Sequence, residues 1–101
     1  MSTSVTELIT PAAIQVIVEA DAILVELSDG RSIRVPLTWY PRLLHATEAE
    51  RGKFRLIGKG RGIHWPDVEE DISVESILLG RPSMESAGSL RRWLQARGVG
   101  A

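Results

Sequence analysis

The stretch GIHWPDVEEDISV, residues 62–74, sets a histidine and a tryptophan just ahead of four carboxylates. No other part of the chain gathers residue types so suited to chemistry. His64, Asp67 and Asp71 could offer one nitrogen and two carboxylate oxygens to a divalent ion such as zinc or manganese. Alternatively, His64 could serve as a general base oriented by Asp67. Both arrangements need the chain to fold back, because Pro66 interrupts the run between the histidine and the acids. The spacing matches no metal motif with a defined mechanism. A plainer reading accounts for more of the residues. Acidic groups ahead of and within a first helical turn interact favourably with the helix dipole. Trp65 suits a core anchor whose indole N–H needs a partner. The expectation is a corner where a strand passes into a helix, with no metal, no cofactor and no catalytic residue.

Three other segments invite a functional reading. Gly58-Lys59-Gly60-Arg61-Gly62 has the glycines of a phosphate-binding loop, but a Walker loop ends in Lys-Ser or Lys-Thr and opens a helix, whereas this one leads into Ile63-His64-Trp65-Pro66. A hairpin turn is expected, with Lys59 and Arg61, together with Lys53 and Arg55, free to meet phosphates or an acidic partner. Trp39, Tyr40 and Arg42 are types enriched at binding hot spots. Since the chain has only three tryptophans, one tyrosine and one phenylalanine, its core should claim at least one of Trp39 and Tyr40. Finally, Leu90, Trp93 and Leu94 share one face of a C-terminal helix whose other face carries Arg91, Arg92 and Gln95. That face can dock on its own domain or on a partner. No serine stands in a strand-to-helix elbow beside a histidine and an acid, so nucleophilic catalysis has no specific support.

The elements that must position these groups follow from periodicity. Residues 1–13 read as a leader ending near Pro11. Ile14 to Ala20 is rich in β-branched residues and reads as a strand. Ile23, Val25 and Leu27, then Ile33, Val35 and Leu37, alternate on either side of a turn. The two apolar sets share a face only if the loop has an odd number of residues, which predicts a loop of Ser28, Asp29 and Gly30 with Val25 opposite Ile33. A helix begins at Thr38 or Tyr40, and Thr47 with Glu50 has capping-box spacing for a short second helix through Arg51. Phe54 to Ile57 and Ile63 to Trp65 suggest further strands. Ser73 caps a helix over 74–79, with Ile72 and Ile77 placed as a hydrophobic staple, and Gly80 then Pro82 end it. A polar connector, residues 83–86, leads to a last helix over 87–97. The fold class is α+β: an antiparallel sheet of about four strands with short helices on one side, organised as one domain over 14–82 plus a connector and helix over 83–101.

Bulk properties narrow the classes. A chain of 101 residues with 44% hydrophobic and 25% charged residues is one ordinary globular domain. Its net charge of −1 gives no global pull toward nucleic acid. The absence of cysteine removes disulfides, thiolate metal sites and cysteine nucleophiles. No signal peptide and no apolar run of membrane-spanning length is seen, so a cytoplasmic location is expected.

The segment DGRSIRVPLTWYPRLLHATEAERGKFRLIGKGRGIHWPDVEEDISVESILLG resembles the small bacterial family of unknown function known as DUF family 2442. The likeness lies in the DGR turn, VPL, WYPRL, the helix start at Ala46-Thr47, the glycine-rich turn and GIHWP with its acidic follow-up. It spans about Val16 to Gly80; Glu69 stands where the family often has aspartate. The resemblance implies a small α+β domain without established enzyme activity, akin to the antitoxin or regulatory half of a toxin–antitoxin-like pair, and it assigns no catalytic residue. The leading expectation is a non-enzymatic interaction module with a small protein partner, using Trp39, Tyr40, Arg42, His64, Trp65, Asp67, Asp71, Leu90, Trp93 and Leu94. A homodimer is a further expectation. The alternative is a DNA-binding regulator using Lys53, Arg55, Lys59 and Arg61, and third comes a metal-dependent enzyme centred on His64.

Overall fold

The odd-membered loop forms as its side-chain pattern requires. Val25 stands opposite Ile33, Gly30 takes a left-handed φ of 94°, and Asp29 accepts hydrogen bonds from the backbone N–H and Nε of Arg31. The computed structural model describes residues 10–98; most of the expected leader, residues 1–9, and the last three residues lie outside them. The hairpin joins β2 (Ala22–Leu27) to β3 (Ser32–Pro36), and β1 (Ala13–Val18) pairs with the other side of β2. All pairs are antiparallel, in the order β1-β2-β3. Val16, Val25 and Val35 face the core, while Ile17, Leu24 and Arg34 form a row on the other face. A bulge between Ala13 and Gln15 displaces Ile14, which is 61% exposed.

After a 3₁₀ turn over Leu37–Trp39, α1 (Pro41–Leu44) begins with proline at its first position, where the missing N–H costs nothing. The capping box is present at α2 (Glu48–Gly52): Thr47 Oγ1 accepts from Glu50 N–H at 3.1 Å and Glu50 Oε1 accepts from Thr47 N–H at 2.8 Å. From α2, Arg51 donates to the Leu43 and Leu44 carbonyls, partnering the free end of α1.

The remaining strands form a second sheet. It consists of β4 (Arg55–Ile57), β5 (Gly62–Trp65) and β6 (Glu70–Ser73), antiparallel in the order β4-β5-β6. The α+β class stands, but the single sheet of about four strands becomes two sheets of three. The missed strand is β6, since a four-residue strand with one core-facing apolar residue, Ile72, cannot display a period of two. Glu70 and Asp71 are therefore strand residues and do not line a helix start. The sheets meet where Ala13 N–H donates to Gly60 O at 2.7 Å.

Ser73 caps α3 (Val74–Leu78) as expected, accepting from Ser76 N–H. Its other end closes as a Schellman motif: Gly80 N–H donates to Ile77 O, Arg81 N–H donates to Ser76 O, and Gly80 has a φ of 71°. The last helix is α4 (Ala87–Ala96), capped by Ser86. One hydrophobic cluster, including Val25, Leu37, Leu43, Trp65, Val68 and Val74, joins both sheets to the helices. No described helix is long and apolar enough to cross a membrane.

Candidate functional site

The β5–β6 hairpin decides what His64 can do. Trp65 and Ile63 alternate inward along β5, which turns His64 to the outer face. Directly opposite is Asp71 on β6, and on the other side Arg55 on β4, so the three form one cross-strand row. His64 Nδ1 lies 2.6 Å from Asp71 Oδ1. Asp67, in the intervening turn, instead pairs with Lys53 Nζ at 3.1 Å. Asp71, and not the Asp67 of the alternative general-base reading, is the acid that orients His64, because the strand register sets the neighbour and the sequence interval does not. With side chains 23% and 66% exposed, the His64–Asp71 pair lies at the surface. No group of three metal-ligating side chains occurs among the described residues. Trp65 is fully buried, donating its indole N–H to the Arg51 carbonyl at 3.0 Å, so it is a core anchor that presents no binding surface.

The aromatic and basic groups of Trp39-Tyr40-Pro41-Arg42 are used largely inside the molecule. Tyr40 is only 3% exposed and belongs to the core, and Trp39 packs partly against it. Arg42 grips Glu85 of the connector with Nε and Nη2, reaching 2.8 Å, while its Nη1 donates to Val68 O. The carboxylate holds the Arg42 guanidinium charged, and the guanidinium in turn pushes the Glu85 carboxyl below its usual range. At the far end of α4, Arg97 makes a second paired contact with Glu50, at 2.8 and 3.0 Å. This pushes the Glu50 carboxyl down to about 2, with the Thr47 backbone bond adding to the effect. Both guanidiniums lie over the Trp93 ring, that of Arg42 5.1 Å and that of Arg97 4.6 Å from its centroid. Leu90 and Leu94 are partly buried. The tail helix docks on its own domain.

One acid stands apart, and it escaped the reading of the sequence. Glu70 is opposite Trp65 and two residues from Ile72, so strand alternation turns it inward. Burial, then the neighbouring Glu85, pushes its carboxyl up to about 7. Beside it the Tyr40 hydroxyl is buried without a hydrogen-bond partner among the described residues, and burial, then Glu70, pushes that phenol up to about 12. Both line a recess of about 190 Å³ between β6, α3 and the connector, together with Ser73, Ser76, Arg81 and Ser83. The available signal was the period of two shared with Ile72, legible only once residues 70–73 are recognised as a strand.

The basic run flanks β4, an edge strand of the second sheet among the described residues. Arg55, Lys59 and Arg61 are exposed and have no ion-pair partner among the described residues. Gly58, Lys59 and Gly60 all take positive φ, forming the turn between β4 and β5. Gly60 also packs against Ala12 and Ala13, where a Cβ would lie 2.7 Å from the Ala13 carbonyl oxygen. The loop is therefore a hairpin turn and does not open a helix. Along β4 every residue is exposed, including Leu56 at 37% and Ile57 at 38%.

A model of the family described as "Protein of unknown function (DUF2442)" matches residues 13–83. Two solved structures share the fold. A crystal structure of a protein of unknown function from Rhodospirillum rubrum has a TM-score of 0.65 and 21% identity, covering 74% of this chain and 93% of its own. A solution structure of an uncharacterised protein from Chromobacterium violaceum has a TM-score of 0.62 and 20% identity, covering 89% of this chain and 79% of its own. No curated protein matches the sequence significantly.

Proposed function

We propose that this chain, which belongs to the DUF2442 family, is a non-enzymatic interaction module, the antitoxin-like partner of a small protein. The observation that carries the reading is the pair of sheet edges bearing solvent-facing apolar residues: Ile14 and Ile17 on β1, Leu56 and Ile57 on β4. Edge strands normally avoid such residues because they invite pairing with another chain. By contrast, Arg42, Glu50, Trp65, Glu85 and Arg97 are engaged in holding the fold together. Native mass spectrometry on the tagged protein, purified gently from its host, tests the reading. A complex with a second small protein is expected. Recovery of the bare chain alone, across growth conditions in which it is expressed, would overturn it.

A second reading rests on the basic run of Arg55, Lys59 and Arg61, which have no ion-pair partner among the described residues, joined by Lys53. A DNA-binding regulator would shift its own promoter fragment in a gel, with affinity falling steeply as salt rises. The absence of a shift at low salt counts against it.

A further inference from the structure

We propose that the open edge of β4 receives an extended, acidic strand of a partner protein, with the partner's carboxylates set among Lys53, Arg55, Lys59 and Arg61. This rests on the interaction reading above and specifies its surface and the chemistry of the partner.

The geometry supplies the backbone half of the argument. β4 pairs with β5 on one side only, because the sheet runs β4-β5-β6. Among the described residues no strand pairs with its outer side, whose outward N–H and C=O groups form the template for strand addition. Leu56 aligns with Ile63 and Ile57 with Gly62, so the two exposed residues lie on opposite faces of the sheet. An added strand with alternating side chains would cover both. The edge is short, three residues, so main-chain bonds alone give little affinity and the charges must supply selectivity.

Those charges choose the occupant. Arg55, Lys59 and Arg61 are unpaired among the described residues, and Lys53 has only the exposed Asp67. A second copy of this chain is rejected. Pairing two β4 edges would bring the basic residues that flank the strand, Lys53, Arg55, Lys59 and Arg61, of both copies together, and like charges brought together are destabilising. A nucleic acid is disfavoured for a different reason. It has no peptide backbone to pair with the outward N–H and C=O groups of β4. Nor would phosphates gain from contact with Leu56 and Ile57. An acidic strand with apolar residues between its carboxylates uses all of these features.

The test is a titration of the isotope-labelled full chain with an acetylated seven-residue peptide alternating glutamate and valine, followed by amide NMR. The expected result is perturbation centred on residues 53–57 and 62–64, with slowed hydrogen exchange in β4. The double variant Arg55→Glu, Lys59→Glu should bind this peptide at least fivefold more weakly and gain affinity for the lysine–valine counterpart. Both sites are exposed, and an unchanged melting temperature verifies the fold. Equal binding by variant and wild type, or perturbation confined to another surface, overturns the proposal. So does a random-sequence DNA duplex that shifts the same amides more tightly than the peptide. If a natural partner is recovered and the double variant retains it at unchanged affinity, the edge is refuted while the interaction reading stands. If the peptide seats on β4 but the host yields no partner, the edge is supported and the interaction reading falls.

Discussion

Replacing Glu70 by glutamine should make the protein more stable at pH 8 and leave it nearly unchanged at pH 5. The carboxyl has an ordinary value of 4.5 and is held at about 7 in the fold. The folded state therefore binds this proton more tightly than the unfolded chain does. Stability is fully present below the unfolded value and is lost as pH rises through the folded one. At roughly 1.4 kcal/mol per tenfold change in proton affinity, the full displacement is worth about 3 kcal/mol. Glu70 is only partly buried, so solvent screening lowers the expected loss to about 1–2 kcal/mol. The window, from about pH 4.5 to somewhat above 7, lies above that of Glu50, held near 2, and Glu85, also depressed by its arginine; those two lose their stabilising effect as pH falls. Urea denaturation of both proteins at pH 5, 6, 7 and 8 gives the answer, because the comparison cancels every titrating group they share. Wild-type stability should fall relative to Glu70→Gln by about 1–2 kcal/mol across the series. Parallel pH profiles would refute the placement of Glu70 on the core side of β6.

The remaining expectations concern how the elements are fastened. Gly60→Ala forces a Cβ to 2.7 Å from the Ala13 carbonyl oxygen at a φ of 85°. It should cost about 2–4 kcal/mol in urea denaturation, whereas Gly52→Ala, with nothing within 4 Å of its added Cβ, should be neutral or slightly stabilising. Glu85→Gln removes the charge that Arg42 grips and should weaken the docking of α4 by about 1–3 kcal/mol, read as faster hydrogen exchange over 87–96 with little change in β5. Thr47→Ala removes one half of the capping box and should cost about 1 kcal/mol, measured by the same denaturation.

Local devices could be read from the chain, and the reason is physical. The loop at Ser28-Asp29-Gly30 follows from parity alone, since only an odd loop puts Val25 and Ile33 on the same face. Thr47 with Glu50, and Ser73 before Val74, are capping geometries contained within four residues. What failed depended on contacts across the chain. Residues 70–73 look like the acidic approach to a helix, and only pairing with β5 makes them a strand. The general-base alternative paired His64 with Asp67 for the same reason: Asp67 is nearer in sequence, but it lies in the turn, whereas Asp71 is directly across the ladder. Tyr40 and Arg42 carried the composition of a binding hot spot, yet composition cannot distinguish an aromatic that meets a partner from one that fills the core.

The tail raises the same issue at longer range and changes what it means to call it an appendage. The family match ends at residue 83, and the two residues that anchor α4 from within that match are Arg42 and Glu50. Their partners, Glu85 and Arg97, lie outside it, 43 and 47 residues away in sequence. Glu50 is the more informative of the two. Its capping-box role is legible from Thr47, but the same carboxylate also receives Arg97, so one side chain both starts α2 and holds the end of α4. A chain cut at residue 83 would keep the cap but leave Arg42 without Glu85 and without the Trp93 ring. The helix is fastened chiefly by charge-assisted bonds, and none of its residues is fully buried. Its docking should therefore weaken with added salt well before the core melts, because the core is held by apolar burial that salt does not screen.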